Sequence, residues 1–167
     1  MTSNRRWFGT VREMTETLVS IPSVSPSVEA ENRCAEKIRD ELLVDSLDQL
    51  WETNDGRKIV ACLLKSENPK DTGKTIILLS HFDTVGVDDF PALATRVNLA
   101  FQPDELRRSC VNFEQKDLLT ESDRVIALQS GEWMFGRGSV DMKVGRGDQY
   151  CAHARVCAQA REWKKID

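Results

Sequence analysis

The stretch TIILLSHFDTVG, residues 75–86, places a run typical of a buried strand directly before a His-x-Asp pair. Its unbroken Thr, Ile and Leu residues favour a strand that is covered on both faces. Open α/β sheets place their ligands at the ends of such strands, because the strand holds a side chain rigidly while the next loop leaves room for a substrate. His81 and Asp83 are therefore candidate functional residues, although a histidine at a strand end also fits a purely structural role.

The composition excludes several classes of protein. The 167 residues suit one domain, and the net charge of −4 comes with Lys and Arg residues that are scattered along the chain, so we expect no nucleic-acid or membrane partner. No apolar run approaches the roughly 18 residues of a membrane span. The start, MTSNRRWFGTVREM, lacks the apolar core of a signal peptide. We expect a soluble, cytoplasmic protein.

The periodicity of the apolar residues predicts an α/β fold with a mixed or parallel core. Ser25 is the expected cap of the second helix, and the sequence Asn-Asp-Gly at residues 54–56 predicts a tight turn between two strands. Residues 88–130 are charged and weakly periodic, which indicates an excursion outside the sheet with a helix over 103–117. The other predicted elements are helices at 6–20 and 27–45 and strands at 47–53, 58–65, 74–80 and 132–136.

A second candidate site segment is GEWMFGRGSVDMK, residues 131–143. It reads as a strand followed by a turn in which Gly136 and Gly138 let the backbone approach its neighbours closely. Asp141 then lies at a strand end, as His81 does. Imidazole is a preferred zinc ligand, and a carboxylate two residues further on can take its other ring N–H. Arg137 fits either a contact with a substrate carboxylate or a structural salt bridge.

The segments SIPSVSPSVEAEN, SHFDTVGVDDF and GEWMFGRGSVDMK together resemble the N-terminal signatures of a family of di-zinc amidohydrolases, the aminoacylases, carboxypeptidases and desuccinylases. They are similar in particular to its arginine-utilisation branch. The resemblance covers about residues 5–144. It implies a three-layer zinc-peptidase-like catalytic domain, incomplete at the C-terminus, that occupies residues 1–144 and carries the insertion at about 88–130.

The resemblance also implies roles for the candidate residues. His81 would ligate one zinc, Asp141 would bridge two zincs, and Asp83 would be the catalytic acid that supports the site from behind His81. Cobalt or manganese are possible substitutes for zinc. The implied activity is hydrolysis of amide or peptide bonds in small peptides or N-acyl amino acids, with a link to arginine utilisation.

The chain departs from the family pattern after Asp141. The family continues with a paired Glu-Glu that supplies the general base and a ligand, then further ligands and a lid domain, and none of these is present. A catalytic zinc needs about three protein ligands. The alternative is therefore a catalytically inactive remnant that lacks the base and the remaining ligands, and we expect it to self-associate non-specifically through uncovered apolar surface.

The tail over residues 145–167 has few branched aliphatic residues, whereas a helix packed on a sheet should be rich in them. Reading its codons one base later permits an amphipathic helix, so a frame shift near residues 143–145 is our hypothesis for this tail. Cys151, His153 and Cys157 have soft ligand atoms, but their spacing matches no standard zinc pattern. We interpret that cluster as chance.

Overall fold

The structure is a computed structural model that describes residues 2–42, 49–63, 73–88, 97–111 and 130–145. Three α-helices and one two-stranded antiparallel sheet lie within these ranges. The elements are α1 (Thr2–Val19), α2 (Val28–Leu42), β1 (Gln49–Glu52), β2 (Lys58–Ala61), a 3-10 helix (Val97–Phe101) and α3 (Pro103–Val111).

Both predicted N-terminal helices are present. α1 stops shortly before Pro22, which cannot continue a helix. The cap of α2 differs from the prediction, because Ser27 and not Ser25 receives the Ala30 N–H on its hydroxyl oxygen, at 3.3 Å. Ser25 instead lies in the connection between the helices, where its backbone pairs with a distant part of the chain. The predicted end of α2 at residue 45 lies outside the described residues.

The hairpin follows the turn that the sequence predicts. β1 and β2 pair in the register Leu50 with Val60, and Gly56 adopts a positive φ of 84° that a residue with a side chain rarely takes. Asn32 of α2 holds this turn from the side, because its amide donates to the Gly56 carbonyl and accepts from the Lys58 N–H. The hairpin is thereby docked on α2.

Two small hydrophobic clusters lie in the described core. The larger lies between the helices and the hairpin and contains Leu18, Cys34, Ala35, Ile38 and Val60, with Met14, Ile21, Leu50 and Phe82 packed against it. The smaller lies under α3 and contains Leu99, Leu106 and Cys110, with Phe135 against it. α3 begins at Pro103 as predicted, since proline suits the first helical position.

The strands predicted at 74–80 and 132–136 are not formed in the structure. Both segments lack sheet pairing in the described ranges, and Ile76 and Leu79 expose 87% and 83% of their surface. An extended segment becomes a strand only when a neighbouring chain accepts and donates its backbone hydrogen bonds. Sequence pattern alone gives the tendency of a segment to extend and does not supply that neighbour. The three-layer arrangement stays a prediction.

Other predictions fall partly or wholly outside the described residues. Of the 88–130 excursion, the structure describes residues 88, 97–111 and 130, and residues 97–111 contain the 3-10 helix and α3. The tail after Gly145, with its hypothesised frame shift, lies outside. In the part of the chain that the structure describes, every helix is too short or too polar to span a membrane.

Candidate functional site

Residues 81–84 form the first arm of the site and are held against the connection between α1 and α2. Thr84 pairs with this connection as an isolated parallel bridge, in which its N–H donates to the Ser23 carbonyl and its carbonyl accepts from the Ser25 N–H, each at 2.9 Å. The Ser23 hydroxyl donates to the Phe82 carbonyl at 2.5 Å. Ser23 is fully buried, so these bonds are shielded from water and fix the backbone beside His81.

Residues 138–143 form the second arm of the site, a kinked turn that carries Asp141. The Lys143 N–H closes this turn on the Gly138 carbonyl at 2.9 Å. The Lys143 side chain is fully buried, and its Nζ donates to the carbonyls of Leu18 and Ile21, each at 2.8 Å. Both arms are thus attached to the end of α1 and the connection that follows it.

The two arms bring His81, Asp83 and Asp141 together. The His81 Nε2 lies 2.9 Å from the Asp141 Oδ1, across 60 residues of sequence. The other ring nitrogen, Nδ1, lies 3.2 Å from both the Asp83 carbonyl oxygen and the Asp83 Oδ1. The three side chains therefore converge, while their roles in metal binding stay a prediction.

The surroundings of the His81 ring select one of its protonation patterns. Both partners of Nδ1 are oxygen atoms of Asp83 that can only accept, so Nδ1 carries a hydrogen. Nε2 lies 2.9 Å from the Asp141 Oδ1, which also can only accept, so this contact requires a proton on Nε2 as well. A cation that replaces that proton meets a nitrogen and a carboxylate oxygen, which are ligand types that zinc prefers.

A hydrogen-bonded chain supports Asp83 from behind. The Ser25 hydroxyl lies 3.2 Å from the Asp83 Oδ2 and 2.7 Å from the Glu31 Oε1. Glu31 is only 5% exposed and accepts a bond of 2.7 Å from the Arg57 Nε. Because a hydroxyl has one hydrogen, Ser25 donates to one carboxylate at a time and links the orientation of Asp83 to the ion pair of the buried Glu31 with the half-buried Arg57.

Lys143 is a buried cation within this arrangement. Burial lowers the pKa of Lys143 to about 8, against the charges of Cys34 and Asp83, which raise it. The side chain is still mainly protonated at neutral pH, where its charge suits the carbonyl-rich C-terminal end of α1. The ammonium charge of Lys143 therefore stabilises the C-terminal end of α1, and the same group holds the second arm of the site.

Gly138→Ala is expected to destabilise the site because the two arms touch at this glycine. Gly138 has a φ of 81°, and an added Cβ would lie 2.6 Å from the Thr84 Cγ2. We expect a loss of about 2–4 kcal/mol in the free energy of unfolding, from overpacking together with the left-handed backbone. Urea denaturation measures it.

The matched control for Gly138→Ala is Gly73→Ala. Gly73 also has a positive φ, 69°, but an added Cβ would meet nothing within 4 Å. It therefore reports the backbone strain without the contact between the arms. Equal losses in the two variants would contradict the close approach of Gly138 to Thr84, and Thr84→Ser should relieve part of the larger loss.

Metal binding by these residues stays a prediction. In the five described ranges, no group of three or more His, Cys, Asp or Glu side chains is placed to hold a metal ion. His81 and Asp141 offer two ligand atoms, and Asp83 is placed to orient the imidazole. Cys151, His153 and Cys157 lie outside the described residues. Arg137 is tied through its backbone N–H to the Ala100 carbonyl at 2.7 Å, and both readings of its side chain stay open.

Sequence reasoning missed the residues that assemble the site. The sequence predicts Ser25 only as a helix cap and indicates no role for Ser23 or Lys143. The signal for the serines was their position in the segment SIPSVS, which the family resemblance already singled out. Nothing in the sequence around Lys143 indicates that its ammonium group is buried at the end of α1.

Comparison with known proteins relates the chain to two proteins of Bacillus subtilis (strain 168). It is 44% identical over 96 residues to the uncharacterized protein YqjN, covering 58% of this chain and 16% of YqjN. It is 32% identical over 145 residues to the protein RocB, covering 81% of this chain and 24% of RocB. No family model and no solved structure matches the chain. The chain spans about a quarter or less of the length of these relatives. Over most of its own length, it is a relative of RocB.

Proposed function

We propose that this chain carries part of the metal site of a zinc-dependent hydrolase that cleaves amide or peptide bonds. In this proposal His81 and Asp141 are the metal ligands and Asp83 holds the imidazole of His81 in place. The substrates are small peptides or N-acyl amino acids, and the similarity to RocB favours a link to arginine utilisation. The proposal builds on the resemblance of the chain to the family of aminoacylases and carboxypeptidases.

The observation that carries this proposal is the contact between the His81 Nε2 and the Asp141 Oδ1 at 2.9 Å. Two ligands of a tetrahedral zinc, each about 2.0–2.2 Å from the metal, lie about 3.3–3.5 Å apart. Asp141 exposes 88% of its side chain, so a small rotation opens the pair to that separation. The contact is therefore close to the spacing that zinc requires.

The surroundings of His81 add a second line of support. Histidines that ligate metals commonly donate their other ring N–H to a carboxylate or a carbonyl oxygen, which fixes the tautomer and raises the basicity of the ligating nitrogen. Asp83 offers both kinds of acceptor to Nδ1, each at 3.2 Å. The Ser25 hydroxyl, 3.2 Å from the Asp83 Oδ2, limits the rotation of that carboxylate.

The chemistry divides between the metal and the chain's own residues. A bound zinc would acidify a water molecule and polarise the amide carbonyl. In this proposal His81 binds the metal through Nε2 and keeps its proton on Nδ1, and the Nδ1–H donates a hydrogen bond to Asp83. Asp141 offers its exposed carboxylate as the second ligand. Because two ligands fall short of the three that catalytic zinc sites use, the proposal requires at least one ligand from outside the described ranges.

The proposal is tested by measuring zinc and turnover on the same preparation. The purified chain is dialysed against metal-free buffer, its zinc content per chain is determined, and hydrolysis of dipeptides and N-acyl amino acids, including an N-acylarginine, is followed. Retained zinc together with hydrolysis that a chelator abolishes would support it. Zinc without hydrolysis would favour the non-catalytic alternative, and absence of both would overturn the metal site.

A further inference from the structure

We infer that Lys143 is a positioning residue, whose buried ammonium group fastens the loop that carries Asp141 to the end of α1 and so sets the distance between Asp141 and His81. The inference rests on the proposed metal site and goes beyond it, since that proposal gives Lys143 no role. It explains how the proposed ligand Asp141, on a loop, is kept opposite the proposed ligand His81, which comes from a separate segment.

The first step is the anchor itself. The last carbonyl groups of an α-helix have no partner within the helix and carry a partial negative charge. Lys143 Nζ donates to the carbonyl of Leu18, in the last turn of α1, and to that of Ile21, just beyond the helix, each at 2.8 Å. The side chain is fully buried, so water does not compete for these bonds, and without them the Leu18 carbonyl would keep the weaker bond from the Ile21 N–H at 3.2 Å.

The second step is the short link between the anchor and Asp141. Only Met142 separates Asp141 from Lys143, and both Asp141 (φ −113°, ψ 94°) and Met142 (φ −138°, ψ 50°) lie outside the helical region. Regular helical hydrogen bonds therefore do not fix the Asp141 carboxylate. The turn is closed by the bond between the Lys143 N–H and the Gly138 carbonyl, and it is held to the body of the protein by Nζ.

The third step is that different groups attach the two arms to the end of α1 and the connection after it. The arm with His81 and Asp83 is held by the backbone and hydroxyl of Ser23 and by the backbone of Ser25. The arm with Asp141 is held by Lys143. Removal of the ammonium group should therefore release Asp141 while the contact of His81 with Asp83 remains. A lysine that only stabilises α1 would have no such selective effect.

The test follows both ring nitrogens of His81 by ¹⁵N NMR at one fixed pH in the full chain. The background carries His153→Gln, so that His81 is the only histidine. Lys143→Met keeps the apolar stem and removes the donors, and Lys143→Arg keeps a cation with donors. Ile38→Val is the stability control, because this 2%-exposed core residue lies on α2 and its loss of a methyl group costs stability without touching the loop.

In Lys143→Met we expect the Nε2 resonance of His81 to move away from its wild-type position and the Nδ1 resonance to stay. We expect Lys143→Arg to restore part of the Nε2 position and Ile38→Val to change neither. Zinc affinity should fall about 10–100-fold in Lys143→Met, the range typical of changes behind a metal ligand. A folded Lys143→Met with wild-type resonances and affinity would overturn the inference.

A second variant covers the case in which Lys143→Met does not fold. Met142→Gly leaves the anchor in place and loosens the link to Asp141, and it should shift Nε2 in the same direction; an unchanged Nε2 would overturn the inference. The resonances are read without metal, so the outcome is separable from the proposed function. If Nε2 depends on Lys143 but no zinc binds, the metal site fails and the positioning role stands.

Discussion

His81→Gln and Asp141→Asn should each abolish stoichiometric retention of zinc after dialysis. Each substitution removes one of the two ligands that the described residues contribute, and the proposed site then falls below the three protein ligands that a catalytic zinc needs. His81 is the more severe case, because its imidazole is also the group that joins Asp83 to Asp141, through contacts of 3.2 and 2.9 Å. Zinc content per chain and titration with a competing chelator measure both effects.

Asp83→Asn tests the supporting role of Asp83 beside the ligands. The amide can still accept the Nδ1 hydrogen but carries no charge, so we expect zinc affinity to fall about 10–100-fold without complete loss. Controls of matched chemistry are His153→Gln, which changes the second histidine of the chain, and Asp104→Asn, which changes an exposed carboxylate at the start of α3. Equal zinc content in His81→Gln and His153→Gln would refute the site.

Replacing Ile77 and Leu79 together by lysine should convert a self-associating chain into a largely monomeric one. Four consecutive apolar side chains are exposed here, from Ile76 at 87% through 74% and 59% to Leu79 at 83%. Burial of four such side chains offers about 6–12 kcal/mol, before the costs of association. Alternate residues of an extended segment share a face, so the two lysines charge one face together.

Sedimentation velocity and binding of a hydrophobic dye measure this change. We expect the unmodified chain to show concentration-dependent larger species and strong dye fluorescence, and the double variant to lose most of both. Thr75→Lys with Gln102→Lys is the control, since it adds the same charge at two exposed polar positions. A wild-type chain that stays monomeric, binds no dye and melts cooperatively would show that residues 76–79 are covered in solution.

The parts of the fold that depend on neighbouring residues were predictable from the sequence. Apolar spacing predicted α1 and α2, and the Asn-Asp-Gly turn predicted the hairpin, because these signals act within a few residues of one another. The same reasoning failed for residues 74–80. Their strand character requires a pairing partner from elsewhere in the chain, and the described residues supply only the bridge at Thr84.

The sequence by itself determined which chemistry is available: an imidazole, two carboxylates and glycines that permit tight turns, in two segments 60 residues apart. Only the tertiary structure decided how these groups meet. His81 and Asp141 come together because Ser23 and Lys143 attach their two segments to the end of α1 and the connection after it. Those attachments are hydrogen bonds between residues more than 50 positions apart, and no local pattern encodes such bonds, since their strength comes from burial that exists only in the folded chain.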